Sequence, residues 1–395
     1  MNWKYAQVME NGLIKAPERW LHLHYYEALN ILFRFENSLR VFVYAVLKNK
    51  YHDEWKECSF KSSGADSKTI KGLAAIRISQ AEYFGYLGFE ITSPLMHLTS
   101  GELIELITSD AYWPLFKPYF RGNRDIIKNK LNEIGTIRNS LAHFRPIKPD
   151  DIELIKQNSR HTMIGIEDCL QNLFVLHIRV PTNTKEDWYS SISTLGTDQI
   201  TTTPFYSKNE EWVNVQLVFK SPIFDKSGMG QYMYTYSAGK LKTANILIEH
   251  PDLMKYVTYI SEYVNYPTLN EEYDLIVTKS VNMVFRLDKI TEHYPIISGE
   301  IQKMLRKVAE ECDLLERDNL ARGLLVESAN IFAWFTEGEK PTWNHEYSDL
   351  WQTYDPSHPD EYWGEQQFAG TDIVAGSRRY PWMPSDISRY EPAFG

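Results

Sequence analysis

The spacing of apolar residues changes character near Leu173, and that change restricts the fold more than any other feature of the chain. Before it, Leu29, Leu32, Phe35, Leu39, Phe42, Val46 and Leu47 recur at three- and four-residue steps. That spacing predicts an amphipathic helix from Glu18 to about Tyr51, on which Glu36 and Arg40 are close enough to pair. Gly64 and Asp66 mark a break, with Asp66 placed to cap a helix from about Ser67 that carries Leu73, Ile76, Ile78 and Phe84. Thr99-Ser100-Gly101-Glu102 introduces another, with Leu103, Leu106 and Ile107 apolar. Beyond the Pro114 and Pro118 turn, Asp125 opens a helix with Ile127, Leu131, Ile134 and Leu141 on one stripe. It ends near Arg145, because a proline at 146 disfavours helix in the residue before it. Pro149-Asp150-Asp151 starts the next, toward Leu170. Residues 18–172 therefore read as one all-α unit of five or six helices.

After Leu173 the period falls to two. Val213, Val215, Leu217 and Phe219 alternate with polar neighbours, and so do Tyr232, Tyr234 and Tyr236. Leu275–Thr278 and Val281–Phe285 are β-rich. Residues 173–290 are expected to be mainly antiparallel sheet with one helix near Pro251–Tyr263. Helix is expected again over Ile297–Leu315 and Leu320–Phe335. From Gly338 the chain is rich in Trp, Tyr, Pro, Asp and Gly, and is expected to be an extended segment docked on this protein or on a partner. The fold class is thus α+β, with a helical domain over 1–172, a β-rich α+β domain over 173–337 as a sensor or regulatory region, and an extended aromatic segment over 338–395.

The 395 residues are 43% hydrophobic and 24% charged, enough for a sizeable core. Three widely spaced cysteines, Cys58, Cys169 and Cys312, argue against a disulfide framework or a cysteine zinc site and suit a reducing compartment. The first fifteen residues contain no apolar run of the signal-peptide kind, and no stretch is long and apolar enough to span a bilayer. The expectation is a cytoplasmic protein without a membrane partner. A net charge of −10 opposes non-specific coating of nucleic acid. Between Arg121 and Arg160, however, nine basic residues face five acidic ones.

That basic segment contains Ile137-Arg138-Asn139-Ser140-Leu141-Ala142-His143-Phe144-Arg145-Pro146. On a helix, Asn139 and His143 share a face and Arg138 lies about 100° round. Near the helix C-terminus the backbone dipole favours a protonated histidine. RNA cleavage needs such groups: a histidine to exchange the 2′-hydroxyl proton, an arginine fork for the charge on phosphorus-bound oxygens, and an amide to orient either. A surface or capping role for the same three residues is the competing explanation.

The Arg-Asn-x-x-x-His pattern near the end of a late helix resembles the signature of the HEPN superfamily. The flanks resemble abortive-infection-type members of that family, as does Phe35-Glu36-Asn37-Ser38-Leu39-Arg40. The resemblance covers about residues 18–172. It implies a HEPN-like helical bundle acting as a metal-independent endoribonuclease without a cofactor. Arg138, Asn139 and His143 would be catalytic, with Glu36, Arg40 and Arg145 in support. It further implies RNA as substrate, a homodimer with a composite cleft, and a toxin or effector role in antiphage defence, with an antitoxin or a phage-derived trigger as partner. Members that have lost catalysis imply an alternative, an inactive dimerisation or binding module that senses a ligand or protein.

Other candidates carry less. His22 and His24 fall on different helix faces. His345 and His358, among Glu346, Asp349, Asp355, Asp360 and Glu361, are too irregularly spaced for a metal site. Gly228-Met229-Gly230 reads as a hairpin turn. Tyr232, Tyr234 and Tyr236 either line a pocket or form an ordinary sheet face.

Overall fold

The structure is a computed structural model that describes residues 25–60, 68–84, 93–143, 145–176, 184–228, 230, 232–270, 272–318, 322–338, 340–353 and 355–365. It is mixed α and β, with mostly antiparallel sheets. Two compact units divide the chain, the described residues up to Gln171 and those from Asn172 to Glu365. No helix among the described residues is long and apolar enough to cross a membrane.

The first unit is helical: α1 (Tyr25–Tyr51), α2 (Ile70–Phe84), α3 (Ser100–Thr108), the single turn α4 (Trp113–Phe116), α5 (Arg124–Ala142) and α6 (Pro149–Phe174), whose last residues belong to the second unit. α1 buries Leu32, Phe35, Leu39, Phe42 and Leu47 and leaves Leu29 exposed. α5 buries Ile127, Leu131, Ile134, Ile137 and Leu141, and α1, α3 and α5 pack on one another. α2 differs from expectation. It begins at Ile70 and turns Ile70 and Ala74 inward, while Ile76 and Ile78 are exposed. Two residues along a helix is about 200° of rotation, so those two isoleucines cannot share one buried face. Asp66, His22 and His24 lie outside the described residues.

α3 opens with a full capping box. Glu102 N–H donates to Thr99 Oγ1 (3.3 Å), and Glu102 Oε2 accepts from Thr99 N–H (2.8 Å). Arg77 of α2 forks onto the same carboxylate at 2.6 and 2.8 Å. Together these hold the Glu102 pKa down against the opposing effect of burial. α6 passes so close to Tyr119 that a Cβ on Gly165 would collide with the Tyr119 carbonyl group.

The second unit contains α7 (Asp187–Ser193), β1 (Ile200–Tyr206), β2 (Trp212–Lys220), β3 (Ile223–Gly228), β4 (Met233–Leu241), α8 (Thr243–Glu249), α9 (Pro251–Tyr256), β5 (Tyr259–Val264), β6 (Thr268–Leu269), β7 (Leu275–Ile276), β8 (Thr278–Arg286), α10 (Leu287–Glu316), β9 (Val326–Thr336), β10 (Thr342–Glu346) and β11 (Tyr362–Glu365). One sheet runs β1-β2-β8-β5-β11 and another β10-β9-β4-β3, with β6 and β7 paired separately. β11 lies parallel to β5, and the other pairings are antiparallel. Val213, Val215, Leu217 and Phe219 of β2 share a core with Ile297, Ile301, Met304 and Val308 of α10. Tyr236 is buried in a second core with Val264, Ile331 and Ala333, and its hydroxyl donates to the Tyr273 carbonyl (2.8 Å).

Two helical expectations fail here. Only Pro251–Tyr256 of the Pro251–Tyr263 segment is helical, and Tyr259–Val264 is a strand paired with β8. The helix expected over Leu320–Phe335 is instead β9, because Ala329, Ile331 and Ala333 point inward while Ser328 and Asn330 point out, a period of two. The aromatic segment contributes β10 and β11 to the two sheets, and residues 366–395 lie outside the described residues.

Two buried charges in this unit are satisfied in different ways, one by an ion pair and one by backbone donors. Lys279 Nζ lies 2.8 Å from Glu262 and donates to the Leu241 carbonyl (2.8 Å). Burial pulls the Lys279 pKa down, and Glu262 opposes it. Glu311 of α10 accepts the backbone N–H groups of Leu324, Leu325 and Val326 at 3.0, 2.7 and 2.7 Å, fixing the entry to β9.

Two substitutions test this description. Gly165→Ala should cost about 1–3 kcal/mol in denaturant unfolding, since backbone must move to admit the methyl group. Glu102→Gln should cost about 1 kcal/mol near neutrality. The folded Glu102 pKa lies below its ordinary 4.5, so its contribution is complete above pH 4.5 and is lost as the pH falls through the lower folded value. The stability curves of the wild type and the Glu102→Gln variant should therefore converge in acid.

Candidate functional site

α5 carries the candidate residues, and its end is set locally. Asn123 caps the start, its side chain accepting from Asp125 N–H (2.8 Å). Regular helix stops at Ala142, earlier than the proline at 146 alone requires. His143 is the C-cap, with φ −98° and ψ 15°, and its N–H donates to the carbonyls of Asn139 and Ser140, both at 3.3 Å. Arg145 N–H returns to the Ser140 carbonyl (2.9 Å). The i to i+4 relation of Asn139 and His143 therefore survives the helix end, and the two side chains sit one turn apart.

Glu36, Arg40 and Arg138 meet. Glu36 projects from α1 with its side chain 11% exposed, and its carboxylate is shared. Oε1 accepts from Arg40 Nη2, and Oε2 accepts from Arg138 Nε at 3.3 Å. Arg40 also donates to the Leu95 and Leu98 carbonyls (3.2 and 3.3 Å) and to Asn37 Oδ1 (3.1 Å). Burial lowers the Arg40 pKa, Glu36 raises it, and the neighbouring Arg138 adds to the lowering. Arg40 is thus fully engaged as a structural cation. Arg138 is different. Its side chain is 35% exposed, and its one ion pair uses Nε, leaving both Nη groups uncommitted among the described residues.

Asn139, His143 and Arg145 are exposed, and their side chains make no hydrogen bond or ion pair among the described residues. The structure therefore brings Arg138, Glu36 and Arg40 into one cluster. It leaves Asn139, His143 and Arg145 at the same end of α5 but not bonded to that cluster. Phe144 lies outside the described residues. Chemically, the arrangement offers an anchored guanidinium with free donors, an amide and an imidazole, all open to an anionic partner.

The histidines of the C-terminal segment are engaged elsewhere. His345 Nδ1 lies 3.2 Å from the Tyr266 hydroxyl, and burial lowers its pKa. His358 Nδ1 accepts from Asp355 N–H (3.3 Å). Among the described residues, no group of three or more His, Cys, Asp or Glu is placed to hold a metal ion. Sequence reasoning gave Asn37 no role and missed the two carbonyls that complete the Arg40 site. No spacing rule marks Leu95 and Leu98, because their role is played by backbone that is 55 and 58 residues away in the chain.

No family model, curated protein or solved structure matches the chain.

The shared carboxylate makes a contrast that denaturation measures. Glu36→Ala strands the partly buried Arg40 and should cost about 2–4 kcal/mol. Arg138→Ala removes a partly exposed pair and should cost under about 1 kcal/mol. Equal losses would show that Glu36 serves Arg138 alone.

Proposed function

We propose that the first unit is a metal-independent endoribonuclease of HEPN type, cutting RNA with Arg138, Asn139 and His143. The observation that carries this reading is the anchored but open Arg138 beside two exposed polar side chains at one helix end, in the pattern Arg-Asn-x-x-x-His. The RNA 2′-hydroxyl attacks the adjacent phosphorus and the bond to the 5′-oxygen breaks, leaving a 2′,3′-cyclic phosphate and a 5′-hydroxyl. His143 exchanges the proton, and the Arg138 Nη groups take the charge that grows on the phosphoryl oxygens. Asn139 orients the phosphate or the imidazole. Two protons move in this reaction, one from the nucleophile and one to the leaving group. A second copy of the chain, with its own His143, supplies the second group in a composite cleft. Glu36 positions Arg138, with Arg40 holding Glu36, and Arg145 adds positive charge at the mouth. In this reading the protein is a toxin or effector in antiphage defence, with the second unit as the region that senses a trigger or restrains cleavage.

A second reading is a catalytically inactive dimerisation or binding module, and the net charge of −10 favours it, since RNA meets an acidic protein outside α5.

The test is cleavage of RNA by the purified full chain with EDTA present. His143→Ala and Arg138→Ala should each lower the rate by about 10²–10⁴-fold with unchanged circular dichroism. Activity that EDTA abolishes, or that survives both substitutions, would overturn the assignment. A dimer that binds no RNA at any salt concentration would establish the second reading.

A further inference from the structure

The five-stranded sheet has a second face, turned away from α10, that is polar and partly buried. In register across β5, β8 and β2 lie Ser261, Asn282 and Gln216, with Tyr259, Val284 and Asn214 as the next row. Asn282 Oδ1 accepts two amide donors at once, Asn214 Nδ2 (2.9 Å) and Gln216 Nε2 (3.2 Å). That pair of bonds to one oxygen fixes which way the amides point. It leaves the Asn214 and Gln216 carbonyls as acceptors and the Asn282 amide as a donor. Asn214 is 3% exposed, and its Oδ1 has no hydrogen-bond partner among the described residues; the same holds for the buried Ser261 Oγ. An unmet buried acceptor costs about 1–3 kcal/mol. Valine would form the same strands without that cost.

These amides floor a groove of about 230 Å³ whose walls include the rings of Phe174, Tyr259 and Tyr263. Tyr259 donates its hydroxyl to the Leu173 carbonyl (2.9 Å), so its ring is held in place, stacked on Trp363 at 4.0 Å between centroids. No Lys, Arg, His, Asp or Glu lines the groove among the described residues. Its occupant is therefore uncharged where it binds, carries a donor and an acceptor on one edge, and presents flat faces to aromatic walls. The volume is below the usual range for drug-sized ligands, roughly 300–1,000 Å³, which suits a single ring system.

We propose that this groove binds a nucleobase, edge-on to Asn214, Gln216 and Asn282 and flanked by the aromatic rings, with the attached sugar turned to solvent. The base comes either from a free nucleoside or from an unpaired position in RNA. A base-binding groove stands whether or not α5 cuts RNA.

Calorimetric titration of the full chain with adenosine, guanosine, cytidine and uridine, and with single-stranded oligomers of each base, tests this. At least one nucleoside should bind, with an affinity that does not change between low and high salt, because no charged side chain takes part. Asn282→Leu and Asn214→Leu should weaken binding at least about tenfold. Tyr263→Ala, at a position that is 51% exposed and outside the amide row, should weaken it about tenfold, with unchanged circular dichroism. His143→Ala should bind as the wild type does, which separates this site from the cleavage reading. Nucleoside binding with no gain in the oligomer identifies a free ligand, and tighter oligomer binding that Tyr263→Ala also weakens about tenfold identifies an RNA base. Absence of binding by every nucleoside and oligomer at millimolar concentration, or binding that Tyr263→Ala and Asn282→Leu leave unchanged, overturns the proposal.

Discussion

A carboxylate taken almost wholly out of water loses several kcal/mol of hydration unless cations and donors replace it. Glu36 meets that requirement by pairing with two guanidiniums, and the candidate site depends on the division of labour between them. Arg40 is saturated by Glu36, Asn37 and two carbonyls, so it neutralises the carboxylate and ties α1 to the 95–98 segment. Arg138 receives only the other carboxylate oxygen. The consequence is a guanidinium fixed at its Nε and free at its tips, oriented without being consumed.

The same physical rule organises the second unit by itself. Lys279 with Glu262, and Glu311 with three successive backbone N–H groups, are each satisfied by geometry that only one packing of strands and helix provides. Glu311 also explains a glycine. A Cβ at Gly323 would collide with that carboxylate, so the loop can close over Glu311 only without a side chain there. Asn214 Oδ1 and Ser261 Oγ, without hydrogen-bond partners among the described residues, lie on one face of the five-stranded sheet, and Asn214 lines the groove proposed to take a nucleobase.

Much of the fold was legible because hydrophobic spacing is a local signal. The stripe Ile127, Leu131, Ile134 and Leu141 gave α5, the alternation Val213 to Phe219 gave β2, and Thr99 with Glu102 gave the start of α3. The signal misled where strand and helix patterns overlap. Leu320–Phe335 is apolar at several helix-compatible steps, yet pairing with β4 along most of its length decides for strand. In β2 alternation places the polar Asn214 and Gln216 on the face opposite Val213, Val215 and Leu217. Asn214 is buried, because alternation reports which face a residue is on and not whether that face is covered.

For the candidate site the division follows the range of the interactions. The sequence by itself determined that Asn139 and His143 share a helix face and that Arg138 stands beside them, since both follow from residue spacing on α5. It also determined that Glu36 and Arg40 are one turn apart on α1. Only the tertiary structure decided that Glu36 takes Arg138 as its second partner, 102 residues away, and that the imidazole of His143 is left open just past the last helical residue. An ion pair of that separation depends on how α1 and α5 pack, and packing is set by the whole core rather than by any motif.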